Sequence, residues 1–218
     1  MPITEGAFDW RETAERLAQF VHQRPRIEAR SGGFADLDRG LLFRLPLVLP
    51  SPDVSLPVDA YQRQLTDRLA RQAVFLARAG ATAIGLWDTE DELVAHKVFK
   101  RYVVRGNGRA QPTHLATKGK SRYGSRLRLQ NARRLLEETN QRLCDWSTEP
   151  IERAFVSCPK RLLADFRQAS PTFPFAPESV LTIPFHVNEP GHTILLQVRR
   201  RLSKGRIVPL HDTSTADP

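Results

Sequence analysis

Residues 97–134 read KVFKRYVVRGNGRAQPTHLATKGKSRYGSRLRLQNARR, and the way this stretch divides sets the rest of the chain in order. It holds twelve Lys or Arg and no Asp or Glu. Residues 98–104 are β-branched and aromatic, which predicts a strand. Residues 105–122 are rich in Gly, Thr, Ser and Lys and contain Pro112, which predicts a long exposed loop. The last third opens the longest helical pattern in the protein. A strand therefore delivers a basic loop, and a basic helix carries the chain away. A loop of more than about 12–15 residues in a compact domain is usually functional or disordered. Its charge calls for a polyanionic counter-surface, with RNA first among the choices. A solvated basic surface loop is the alternative that composition leaves open.

Working outward, residues 82–87 and 92–104 are two strand-like runs joined by Asp88-Thr89-Glu90-Asp91, a β-hairpin with a polar turn. The helix after the loop starts within residues 121–125. Its inner stripe is Leu129, Ala132, Leu136, Thr139, Leu143 and Trp146, with Leu135 beside it. Upstream, residues 58–79 read as a helix with Tyr61, Leu65, Leu69, Gln72 or Ala73, and Leu76 on one face and Gly80 at its end. Residues 10–23 have the i, i+3, i+4, i+7 pattern of an amphipathic helix, with Asp9 as N-cap. Residues 28–40 read as a connector, and 41–49 as a strand that Pro46 confines to an edge or bulge. Downstream come a short strand at 151–158 and a helix opened by Pro159, with Ser157 or Cys158 at its cap. A strand at 180–185, a helix capped by Asn188 and running from Pro190 to Ser203, and a strand at 206–210 follow. Strands alternating with helices indicate an α/β fold, a mixed β-sheet packed with helices. The expected division is an N-terminal helical extension over 1–40, one domain over 41–211 and a polar tail over 212–218.

The formal net charge is +9 and the sequence pI about 10.2. The excess lies within 97–134, so the remainder is close to balanced. A local basic patch on an ordinary body is the footprint of a nucleic-acid binder. Cys144 and Cys158 lack metal-ligand spacing and read as reduced thiols of a cytoplasmic protein. No apolar run approaches the ~18 residues of a membrane span, and the N-terminal residues lack the pattern of a secretory signal. The six histidines, His22, His96, His114, His186, His192 and His211, show no ligand pairing, so no metal site and no cofactor are expected. Asp88, Glu90, Asp91 and Glu92 read as a solvated turn, with metal-binding carboxylates of a nuclease as the sharper alternative.

Within the loop, Gly106 and Gly108 precede Gln111. Glycines allow close approach of backbone to a ligand. A glutamine amide orients a water or donates to an ester oxygen, but it is no general base at neutral pH. A site built on it works by positioning. An ordinary polar loop glutamine fits the same residues.

From about residue 80 to 210 the chain resembles the Vms-type release factors, relatives of the middle domain of the eukaryotic class I release factor. The resemblance rests on His96-Lys97-Val98-Phe99-Lys100-Arg101-Tyr102-Val103-Val104-Arg105, on Gly108-Arg109-Ala110-Gln111, and on Ser157-Cys158-Pro159 and Ile183-Pro184-Phe185. It implies a release-factor-like domain whose loop enters the peptidyl-transferase centre of the large ribosomal subunit. There Gln111 would promote hydrolysis of peptidyl-tRNA, with Gly106 and Gly108 shaping the loop and Tyr102 and Arg105 supporting it from the strand end. Ribosomal RNA and tRNA would be met by Lys100, Arg101, Arg109, Lys118, Lys120, Arg122, Arg126 and Arg128. Two departures stand out: Arg109-Ala110 separates glycine from glutamine where release factors proper have Gly-Gly-Gln, and Pro112 biases the Gln111 backbone toward extended angles. The resemblance is to a minimal, prokaryotic, monomeric member. Two rival activities fit the same loop: a tRNA endonuclease cutting near the 3′ end of peptidyl-tRNA, and a non-catalytic ribosome-binding rescue factor. Residues 106–120, with almost no apolar side chain, are expected to be weakly ordered without their partner surface.

Overall fold

Two five-stranded sheets account for the strands among the described residues, 6–22, 26–103 and 120–210 of the computed structural model. They belong to two compact units. The first comprises residues 1–69 and 197–218, the second residues 70–196.

The first unit holds β1 (Gly6–Asp9), α1 (Thr13–Val21), β2 (Ile27–Arg30), β3 (Gly33–Asp36), β4 (Leu41–Arg44) and α2 (Val58–Gln64). Its sheet is antiparallel throughout, in the order β1-β10-β4-β3-β2, where β10 is Lys204–Pro209. Phe43 lies at its core, with the Phe8 ring at 4.8 Å and the Phe20 ring at 5.3 Å. Asp9 and Glu12 form a capping box ahead of α1, the Asp9 amide donating to Glu12 Oε1 at 3.0 Å.

Three expectations are corrected here. Residues 28–40 are not a connector: they hold most of the β2–β3 hairpin, closed by Gly32 at φ +79°. Region 1–40 therefore carries three strands besides its helix, and the expected boundary at residue 40 falls inside this unit, between paired strands β3 and β4. β4 stops at Arg44 and sits between β10 and β3 rather than at an edge, because Pro46 lies beyond it. Gly33 is fixed by crowding, since a Cβ there would stand 2.0 Å from the Phe43 carbonyl oxygen.

The second unit holds β5 (Gln72–Arg78), β6 (Ala81–Trp87), β7 (Leu93–Lys100), α3 (Lys120–Trp146), β8 (Arg153–Ser157), α4 (Lys160–Gln168) and β9 (Val180–Thr182). The last helix, α5 (His192–Leu202), begins in this unit and ends in the first. The sheet order is β7-β6-β5-β8-β9, antiparallel across β7-β6-β5 and parallel across β5-β8-β9. This is the expected mixed sheet with its hairpin.

The helix read over residues 58–79 is overturned. α2 ends at Gln64, and Gln72–Arg78 is the central strand of the sheet. Six of its seven residues are buried, so it shows no alternation, and a short apolar run of this kind fits a helix period equally well. Phe75 faces the side covered by α3 and α4, with the Phe166 and Phe173 rings each at 5.0 Å.

α3 holds this face with Leu135, Thr139, Asn140 and Leu143, all buried. The Thr139 and Thr82 hydroxyls share a hydrogen bond of 2.9 Å, and Asn140 Nδ2 donates to the carbonyls of Phe166 at 2.8 Å and Pro171 at 2.7 Å. Leu129, expected on the inner stripe, is 73% exposed. Among the described residues of the helix, the buried ones begin at Leu135. Smaller shifts complete the comparison: Pro159 itself is the N-cap of α4, β9 ends at Thr182, and α5 starts at His192, beyond Asn188 and Pro190.

Candidate functional site

The β6–β7 hairpin is built to deliver the chain at one point. At its turn, Asp88 Oδ1 accepts the amides of Glu90 at 3.0 Å and Glu92 at 2.9 Å, and Asp91 takes φ 68°. The acidic cluster thus has a local task, folding the turn.

At the other end of the hairpin, β7 gives way to Arg101, Tyr102 and Val103. The Arg101 amide donates to the Gly80 carbonyl at 2.8 Å. Gly80 sits at φ +86°, and a Cβ there would lie 2.7 Å from the Arg101 carbonyl oxygen and 3.0 Å from Val103 Cγ2. Only glycine fits beneath this strand end. The Arg101 guanidinium reaches α3, its Nη2 lying 2.7 and 2.6 Å from the two oxygens of Glu138. Asn131, about two helical turns ahead of Glu138, donates from Nδ2 to the Tyr102 carbonyl at 3.0 Å. Lys100 pairs with Glu189 at 3.0 Å, both side chains being more than 60% exposed. A depression of about 440 Å³ opens here, lined by Gly80, Lys100, Arg101, Tyr102, Val103 and Glu189. Further along β7, the His96 ring stacks on His192 with centroids 4.3 Å apart.

The expected site residues divide accordingly. Lys100, Arg101 and Tyr102 are brought together at the strand end. Arg101 serves first as a tie to α3, a role that sequence reasoning did not give it. Lys100 is in a surface pair of the kind worth about 0–1 kcal/mol, so it exchanges Glu189 for another anion at little cost. Arg126 is exposed and Arg128 half-buried on the free part of α3, where Arg128 Nη2 donates to Ser125 Oγ at 3.1 Å. Lys120 and Arg122 belong to the first turn of α3, and their side chains are not among those described. Arg105, Gly106, Gly108, Arg109, Gln111, His114 and Lys118 lie outside the described residues, as does the expectation of weak order up to residue 119.

Sequence reasoning missed Gly80, Asn131, Glu138 and Glu189. Gly80 looked like a helix stop because the strand before it looked like a helix. Asn131 had no distinguishing signal, since it shares residues 126–134 with a second amide, Gln130.

The sequence profile of the Bacteroidetes VLRF1 release factor family matches residues 72–209, more than half of the chain. The match runs from the first residue of β5 to the last of β10. A solved structure titled "Vms1 mitochondrial localization core" is similar over 91% of this chain and 83% of that one, at 16% identity and a TM-score of 0.48. No curated protein matches by sequence.

Proposed function

Because the chain belongs to the Bacteroidetes VLRF1 release factor family, we propose that it binds stalled large ribosomal subunits and hydrolyses their peptidyl-tRNA through the segment carrying Gln111. The observation that carries this reading is the pinned exit of β7. The chain is held at Gly80, Glu138 and Asn131 immediately before the residues that hold Gly106, Gly108 and Gln111. A segment meant to reach a distant centre needs a firm base on its own domain.

In this reading the Gln111 amide positions a water against the ester joining peptide to the terminal ribose of tRNA. Glutamine does not titrate, so it moves no proton itself. Ribosomal RNA and the tRNA ribose hydroxyl handle the protons, and the protein supplies orientation. Arg105 and Tyr102 support the segment from the strand end. Lys100, Arg109, Lys118, Lys120, Arg122, Arg126 and Arg128 neutralise RNA phosphates, and Arg101 adds charge beside its tie to Glu138. No residue in the scheme calls for a metal.

The test is release of a labelled nascent chain from purified stalled large subunits, without added factors. Gln111→Ala should lower the rate by about 10²–10³, the cost of one lost transition-state contact, and leave ribosome binding nearly intact. Undiminished release by the variant removes Gln111 from the mechanism. Mapping the tRNA 3′ end separates hydrolysis from RNA cleavage: a free terminal adenosine ribose on full-length tRNA is expected, and a shortened tRNA overturns hydrolysis.

A further inference from the structure

Tyr102 is 55% exposed, and among the described residues the other Phe, Trp and Tyr side chains are buried or half-buried. Its surroundings make this unusual. The residue before it is bound through its amide to Gly80 and through its guanidinium to Glu138. Its own carbonyl is held by Asn131. The main chain is therefore fixed on both sides of the Tyr102 Cα, while the ring is left in solvent. It lines the depression with Gly80, Lys100, Val103 and Glu189. Tyr102 is not a member of the core cluster that the described residues of this unit form.

We infer that Tyr102 is a stacking platform for an unpaired RNA base, seated over the depression at the end of β7. Every base has a π-face, so a presented ring with cations around it is the usual device for holding single-stranded RNA without reading its sequence. The main chain is already ordered, so the ring has only its own rotamer freedom to lose on binding. Lys100, in a surface pair with Glu189, is placed to take the phosphate beside that base. This inference rests on the reading of the chain as an RNA-binding release factor. It adds a contact class, base stacking, that phosphate neutralisation does not supply.

The full chain is titrated with a short single-stranded oligoribonucleotide of mixed sequence and with the same oligomer made of abasic ribose phosphate, following fluorescence anisotropy. Wild type should bind the base-bearing oligomer more tightly than the abasic one. Tyr102→Phe should bind within about 2-fold of wild type, since stacking needs the ring and not the hydroxyl. Tyr102→Leu and Tyr102→Ala should bind on the order of 10-fold or more weakly, and should no longer distinguish the two oligomers. The leucine variant keeps an apolar group at the site, so its loss is specific to the aromatic face. Equal binding of both oligomers by wild type, or a leucine variant as good as the phenylalanine one, overturns the inference, and so does absence of binding to either oligomer. Release activity of the wild type is read separately. Release together with equal oligomer binding sinks only the stacking role, and ring-dependent oligomer binding without release sinks only the hydrolytic reading.

Discussion

Asn131 donates a hydrogen bond of 3.0 Å to the carbonyl oxygen of Tyr102, across 29 residues of sequence. One amide thereby ties the departing end of a strand to the helix on which the chain returns. Tyr102 is exposed and Asn131 half-buried, so the bond contributes roughly 0.5–1.5 kcal/mol to stability. Asn131→Ala should lower the unfolding free energy by no more than that in urea titration. It should lower the nascent-chain release rate by a larger factor, because the strand end loses its anchor. Stability and release falling in step would reduce Asn131 to an ordinary surface bond.

Gly80→Ala tests the floor beneath the same strand end. The substitution places a Cβ in the left-handed region and against the Arg101 carbonyl. The backbone term alone costs about 1–2 kcal/mol, and the 2.7 Å contact adds to it. A lowered urea midpoint with unchanged slope is expected. Wild-type stability in this variant would mean that the turn relaxes without displacing residues 101–103.

The arginines of the free part of α3 separate docking from chemistry. Replacing Arg126 and Arg128 with Ala should weaken ribosome binding and leave the release rate at saturation much less changed. Each lost phosphate contact should make the log–log salt dependence shallower by roughly 0.7–0.9. A folding defect is not expected, since Ala is the better helix former and neither residue is buried. Unchanged affinity and salt slope would show a merely solvated face, and docking would fall to Lys118, Lys120, Lys100 or Arg101.

The two thiols should differ in reactivity. Burial pushes the Cys158 thiol up from 9.0 to about 12, with Arg78 partly offsetting it. At pH 8 its thiolate fraction is then about 10⁻⁴, against about 0.1 for an ordinary thiol of this reference value. Alkylation by iodoacetamide, followed by mass spectrometry, should be on the order of 10³-fold slower than for an exposed cysteine. Cys144 is shifted upward less strongly and should react first. The sign for stability follows: the protonated form is favoured in the fold, so stability falls as pH rises from 9.0 toward about 12. Equal labelling of both thiols in the folded protein would contradict the burial of Cys158.

What was legible in the sequence was the hairpin, the strand entering the basic segment, the long helix leaving it and the mixed sheet. Each is announced by a local signal: Asp88 and Asp91 for the turn, β-branched and aromatic residues for β7, a 3.6-residue period for α3. What was not legible depended on partners distant in sequence. β5 is buried on both faces, so Val74 and Phe75 give no period that distinguishes strand from helix. β2 and β3 are four residues each, too short to stand out before β4 and β10 complete their sheet. Leu129 obeys the helical stripe and is exposed all the same, because periodicity tells which side of a helix is apolar and not how far the packing surface extends. The site shows the same limit. Arg101 was legible as a cation, but its carboxylate partner Glu138 lies 37 residues away.

The long helix acts as a ruler. At 1.5 Å per residue, its first residue, Lys120, stands about 16 Å beyond Asn131, the residue that touches the strand end. That length is a count of residues, and among the described residues of the helix Leu135 is the first that is fully buried. Removing or adding one turn between residues 124 and 130 would shift the tip by about 5.4 Å and leave the core untouched. The position from which the chain re-enters its own domain is thus a quantity that evolution or an engineer can set one turn at a time, independently of stability.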